Sequence, residues 1–179
     1  MANLQQHSAK ICHTAAGMLI HKNKVLLIHH KKLNIWLCPG GHMEEGELPH
    51  QAAEREFLEE TGVQVIAYDP YYTQESERSE YIPSPVESNL HWISEQNFTE
   101  RTSDPDAYAK APLRMKGCEQ HMGSLYLVRS TGSLKLQPQI EEVHQVRWVA
   151  QDELNGFDLI DDMRAQLEHG FTLADLSAK

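Results

Sequence analysis

The chain has 179 residues, with 26 Asp and Glu against 16 Lys and Arg and a formal net charge of −10. That length suits one core-forming domain with room for an insertion, and the acidity argues against a general nucleic-acid or anionic-membrane surface. Cys12, Cys38 and Cys118 are odd in number and widely spaced without a CxxC pair, so neither a disulfide framework nor a zinc site is indicated and a reducing, cytoplasmic setting is expected.

In chain order, residues 12–20 read as a mainly apolar strand and 24–30, KVLLIHH, as a second. His21-Lys22-Asn23 supplies a tight polar turn, so the pair predicts a hairpin. Trp36-Leu37-Cys38-Pro39 then leads into Gly40-Gly41, where missing side chains permit close backbone approach to a ligand. Next comes GHMEEGELPHQAAEREFLEETGV, residues 41–63. Pro49 suits a first helical turn and Gly62 the position just past the end, which predicts a helix of about three and a half turns. Leu48 stands where Ser, Thr or Asp would cap best, at a cost of about 1 kcal/mol.

On that helix Glu56, Glu59 and Glu60 share roughly a third of the circumference, because offsets of three and four share a face. Three like charges there repel one another, and a hard divalent cation with its preference for oxygen ligands reverses the sign. Glu47 and Arg55 can meet if the loop folds back. An EF-hand is excluded because its Asp-x-Asp pattern with a central Gly is absent, and a zinc hydrolase is not indicated because His29, His30 and His42 lack an HExxH or paired-Cys context.

Beyond the helix, Val63 to Thr73 reads as a strand, and Pro83 and Pro85 mark a loop. Leu90 to Ile93 begins another strand. Residues 94–118 show mixed charge and little periodicity, and read as an insertion. Gly123 to Arg129 and Gln145 to Ala150 are strands, Gln151 to Leu154 starts a short helix, and Asp161 to His169 forms a last helix with Met163 and Leu167 on one side. No run approaches the roughly 18 apolar residues that span a bilayer, and MANLQQHSAK has no signal-peptide core. Lys31, Lys32, Arg78, Arg114 and Lys116 are candidate phosphate contacts, although such side chains are more commonly just solvated. Tyr71, Tyr72, Tyr81 and Trp92 could stack a base but more commonly belong to a core.

The spacing Gly41, five residues, Glu47, seven residues, Arg55-Glu56, Phe57, one residue, Glu59-Glu60, one residue, Gly62-Val63 resembles the Nudix box at every defining position. At ordinary residue frequencies such a match arises by chance about once in 10^5 to 10^6. The resemblance implies an α+β fold, the Nudix-type α/β/α sandwich with a mixed central sheet, over a single domain 1–179 with an insertion at about 94–118. It implies Mg²⁺, with Mn²⁺ as a substitute, held by Glu56, Glu59, Glu60 and the Gly40 carbonyl. Gly41, Glu47, Arg55 and Gly62 then support the site. Family members commonly add a carboxylate before a late tryptophan-bearing strand, which here means Glu142 first, Glu141 second and His144 third. Glu56, Glu59 and Glu142 are accordingly the catalytic candidates.

The implied reaction is hydrolysis of a diphosphate linkage in a nucleoside diphosphate joined to another moiety. The expected partner is that small molecule, with no nucleic acid or membrane, and a homodimer remains open because many members dimerise. Two other readings stay open. One is a catalytically silent Nudix-like binding or regulatory module, although such modules usually lose box carboxylates. The other is prenyl diphosphate isomerase chemistry on the same fold, which would need a catalytic cysteine such as Cys38 or Cys118.

Overall fold

Strand β1 (Ile11–His21) and strand β2 (Lys24–His30) form the expected hairpin, with Ile20 opposite Val25 and His21 opposite Lys24. Lys22 and Asn23 both have positive φ, 49° and 59°, which gives the turn the twist that antiparallel neighbours need. In the computed structural model, which describes residues 9–70, 77–79, 81–103, 117–138 and 143–177, β1 also runs parallel to β7 (Gln120–Ser130) from Ile11↔Gln120 to Leu19↔Val128. The short β4 (Gly40–His42) pairs antiparallel with Thr14 to Ala16 of β1. Strands β5 (Val65–Ala67) and β6 (Glu87–Trp92) pair with opposite ends of β7. Beyond β2 lie β3 (Ile35–Leu37) and β8 (Val143–Ala150). The sheet is therefore mixed, as the resemblance implies.

Helices cover both faces of this sheet. Helix α1 (Pro49–Thr61) buries Ala52, Ala53 and Phe57 against Ala15, Leu19, Leu26, Tyr126 and Val128. On the other side Leu167 and Phe171 of α3 (Asp161–Ser177), together with Leu154 of the 3₁₀ turn Gln151–Gly156, pack on Met18, Val25, Leu27, Leu127 and Val149. Neighbours on β2 thus face opposite layers, which accounts for its unbroken apolar run. Each element follows its pattern: period two along the strands and shared faces at three and four along the helices.

Some expectations change. Only Val65–Ala67 of the expected strand 63–73 is paired; Tyr68 adds one backbone bond to Leu127 at 3.0 Å before Pro70, and Tyr71, Tyr72 and Thr73 lie outside the described residues. Within 94–118, residues Glu95–Thr102 form a helix, α2, capped by Ser94 Oγ accepting from the Asn97 N–H at 3.1 Å. Arg114 and Lys116, with the rest of 104–116, lie outside the described residues. The last helix is longer than expected, reaching Ser177.

Helix α2 is fixed by charge. Arg101, 1 % exposed, donates from Nε and Nη2 to both carboxylate oxygens of Glu119, 0 % exposed, just ahead of β7. Glu119 also accepts from the Lys10 backbone N–H at 2.9 Å. Removing one member of a buried, bidentate pair strands the other charge. Arg101→Ala is expected to lower stability by about 3–5 kcal/mol, measured by urea unfolding against the unaltered chain.

Candidate functional site

Helix α1 starts and stops as its sequence directs. Pro49 opens it, and Gly62, with φ 75°, closes it in the left-handed region where its N–H reaches the Leu58 carbonyl at 2.8 Å. Leu48 offers no capping oxygen, but the Gln51 side chain accepts from the Leu48 N–H at 3.1 Å and supplies half of a capping box. Part of the expected capping loss is thereby offset.

The loop before the helix folds back onto it around Arg55. Arg55 donates from Nε to Glu47 Oε1 at 2.9 Å and from Nη2 to Glu47 Oε2 at 3.0 Å, a bidentate pair. Nη2 also reaches the His42 carbonyl at 2.9 Å, and Nη1 reaches Glu56 at 2.8 Å and Glu59 at 3.4 Å. Glu47, hydrogen-bonded to this guanidinium, is held below the usual carboxylate range, and Arg55 is pushed above its ordinary value by the same bond.

Glu56 and Glu60 border the Gly40-Gly41 backbone. A Cβ on Gly41 would lie 2.5 Å from Glu56 Oε1, so only glycine leaves space for that carboxylate. Glu60, 3 % exposed, accepts from the Gly40 N–H at 2.8 Å. Glu59 points outward, with 48 % of its side chain exposed. Gly40, Gly41, Glu47, Arg55, Glu56, Glu59 and Glu60 therefore converge on one locus. The donor set is anionic and all oxygen, and a carboxylate as buried as Glu60 calls for donors or a cation around it. These residues fit a hard divalent ion.

Glu141 and Glu142 fall outside the described residues, and His144 packs against His29 with ring centroids 5.8 Å apart. Tyr81 donates to Asp69 at 2.9 Å, and Trp92 packs on Phe98. A cavity of about 270 Å³ adjoins Gly40 and Gly41, with Ile35, Leu37, Ile160 and Met163 as apolar walls. Asn89, His91, His121 and Gln166 add polar groups. Among the described residues no Lys or Arg lines it, so Lys31, Lys32 and Arg78 stand apart from it.

Two cysteines require a correction. Cys12 and Cys118 are joined as a disulfide, with Cα atoms 5.8 Å apart and 106 residues between them in sequence. Sequence spacing concealed the pair because the parallel β1–β7 register, which sets Cys12 beside His121, creates the proximity. Cys38 is free and buried, and burial pushes its thiol up to about 12. Neither Cys38 nor Cys118 presents a ready thiolate, which removes the support for cysteine-based isomerase chemistry. Histidines also gather here unforeseen: the rings of His42 and His121 lie 4.9 Å apart, and those of His91 and His121 lie 5.6 Å apart. Neighbouring strands bring them together, a relation with no local sequence signal.

A family model described as "NUDIX domain" matches residues 12–170. Over 44 residues the chain is 43 % identical to "Uncharacterized Nudix hydrolase YvcI" of Bacillus subtilis (strain 168), covering 25 % of this chain and 28 % of that protein. Over 61 residues it is 38 % identical to "8-oxo-dGTP diphosphatase" of Proteus vulgaris, covering 31 % of this chain and 54 % of that one. The chain thus matches about a quarter to a half of the length of these curated relatives. In structure it resembles a NUDIX-family hydrolase from Clostridium perfringens, with a TM-score of 0.65 at 22 % identity over 92 % of this chain and 97 % of the other, which shows the fold.

The histidine cluster carries a pH dependence. Burial, then the His42 and His91 imidazoles, push His121 down to about 4 from an ordinary 6.5. The unfolded chain gains this proton near 6.5 while the native state resists it until about 4, so stability falls as pH drops through that window. Thermal melts from pH 7 to 4 should show a shallower decline for His121→Gln than for the unaltered chain; equal declines would refute the assignment.

Proposed function

The chain belongs to the NUDIX domain family, matched over residues 12–170, and on that premise we propose that it is a divalent-metal-dependent hydrolase. Its substrate is a nucleoside diphosphate linked to another moiety, and it cleaves the diphosphate linkage. The observation that carries this reading is the convergence of Glu56 and Glu60 on the Gly40-Gly41 backbone under the Arg55 clamp. An intact carboxylate set beside a cavity favours turnover over mere binding. The Proteus vulgaris relative, by name an 8-oxo-dGTP diphosphatase, points to the same chemical class.

Hydrolysis forms one P–O bond from water, breaks the bridging P–O bond and passes the water proton to a carboxylate. Glu56, Glu59, Glu60 and the Gly40 carbonyl would hold Mg²⁺, or Mn²⁺ in its place, which when bound supplies charge neutralisation on the diphosphate oxygens. Glu56, Glu59 and Glu142 are the carboxylates offered for proton transfer. Arg55 orients Glu56 and Glu59, and Glu47 holds Arg55. The nucleoside occupies the cavity, where Ile35, Leu37 and Met163 take its apolar surface and Asn89 and Gln166 offer hydrogen bonds.

Purified protein with Mg²⁺ should release product from at least one member of a panel of nucleoside triphosphates, nucleotide sugars, dinucleoside polyphosphates and ADP-ribose, with products identified by mass spectrometry. Silence across the panel would sink the enzymatic reading. Glu60→Gln, which keeps an acceptor for the Gly40 N–H, should lose several orders of magnitude in rate with an unchanged far-ultraviolet spectrum. Gly41→Ala should lower kcat by about 10²-fold by displacing Glu56; an unaltered kcat would show that this contact does not position the carboxylate.

A further inference from the structure

Beside the glutamate locus lies a second cluster of quite different chemistry. Among the described residues, Cys12, Cys118 and His42 form the one set of three His, Cys, Asp or Glu whose ligand atoms all lie within 4.8 Å of one another. His42 Nε2 is 3.3 Å from Cys118 Sγ. The three come from separate elements: Cys12 from β1, His42 from the end of β4, and Cys118 from the approach to β7. None is fully buried, so an ion can reach them. We propose that, with the disulfide opened, Cys12, Cys118 and His42 form a binding site for a borderline-soft divalent cation of the Zn²⁺ class, distinct from the hard-cation site on α1.

The ligand types and the distances both support this assignment. Thiolate and imidazole select Zn²⁺ over Mg²⁺, whereas the all-carboxylate face of α1 does the opposite. Zn–S of about 2.3 Å and Zn–N of about 2.0–2.1 Å place tetrahedral ligand atoms roughly 3.5–3.8 Å apart. The His42–Cys118 separation is already close to that edge, and the whole set lies within reach of it. The sulfurs only have to separate from bonding distance. His121, whose ring meets that of His42 edge-on at 4.9 Å, is a further imidazole beside the set, and a fourth position stays open to water.

Disulfide closure and metal binding are alternative fates of the same two sulfurs. A phosphine reductant delivers two electrons, two protons complete the two thiols, and M²⁺ then displaces those two protons to give the dithiolate complex. The site also touches the box. The His42 carbonyl accepts from Arg55 Nη2, so an ion held by the His42 ring braces the residue that braces Arg55.

The test uses Co²⁺ as a spectroscopic probe on the whole chain, reduced with a phosphine, stripped of metal and kept under argon. The reduced protein should develop a near-ultraviolet thiolate-to-cobalt charge-transfer band with tetrahedral visible bands, saturating at about one Co²⁺ per chain and bleached by Zn²⁺. Co²⁺ on the α1 carboxylates gives no such thiolate band. The same protein left unreduced should show none, a control that requires no substitution. Cys12→Ser with Cys118→Ser should abolish the band, and His42→Ala should weaken binding at least about tenfold. A reduced protein without the band, or a band that survives in the double variant and so arises from Cys38, would overturn the proposal.

Discussion

The loop at the glutamate locus and two of its three helical glutamates depend on one guanidinium. A carboxylate trio on a single helical face is self-repelling, and the loop that follows β4 has no regular structure of its own to fix it. Arg55 addresses both, because its five N–H donors lie in one rigid plane and are shared among Glu47, Glu56, Glu59 and the His42 carbonyl. A lysine would bring the charge but not the fork. The loop is thereby tied to the helix two turns inside it, and two of the three glutamates acquire fixed directions.

That clamp works only because the packing beneath it is rigid. Phe57, on α1 beside Glu56, is fully buried against β1 and β7, which sets the height of the helix above the sheet. At that height the Glu56 carboxylate meets the Gly41 backbone so closely that no side chain fits between them. Glu54, on another side of the same helix, accepts from the Ala67 N–H at 2.8 Å and ties α1 to the edge strand β5. The opposite layer, α3 with the 3₁₀ turn, closes the other face and leaves the cavity next to Gly40. Site and cavity share the β4 strand as a common wall.

The parts legible in sequence were those whose signal is local. The hairpin, the boundaries of α1 at Pro49 and Gly62, and the common face of Glu56, Glu59 and Glu60 follow from dihedral preferences and helical period. The meeting of Glu47 with Arg55 could be anticipated because only eight positions separate them. The end of the paired strand at Ala67, the capping of Leu48 by Gln51, and the helix within residues 94–118 were missed. Each depends on a partner rather than on propensity: β7 for the strand, a side chain reaching backward for the cap, and Glu119 for α2.

The sequence by itself determined the shared carboxylate face of the box, because such a face needs only the 3.6-residue period and the right side chains at the right offsets. Tertiary structure alone decided which distant groups meet. The parallel register of β1 with β7 joins Cys12 to Cys118 across 106 residues and gathers His42, His91 and His121 at the cavity. Packing of α2 likewise buries Arg101 against Glu119. Strand register is set by the burial of whole faces rather than by any short run of residues, so the cysteine and histidine cluster beside the box has no local signature to read.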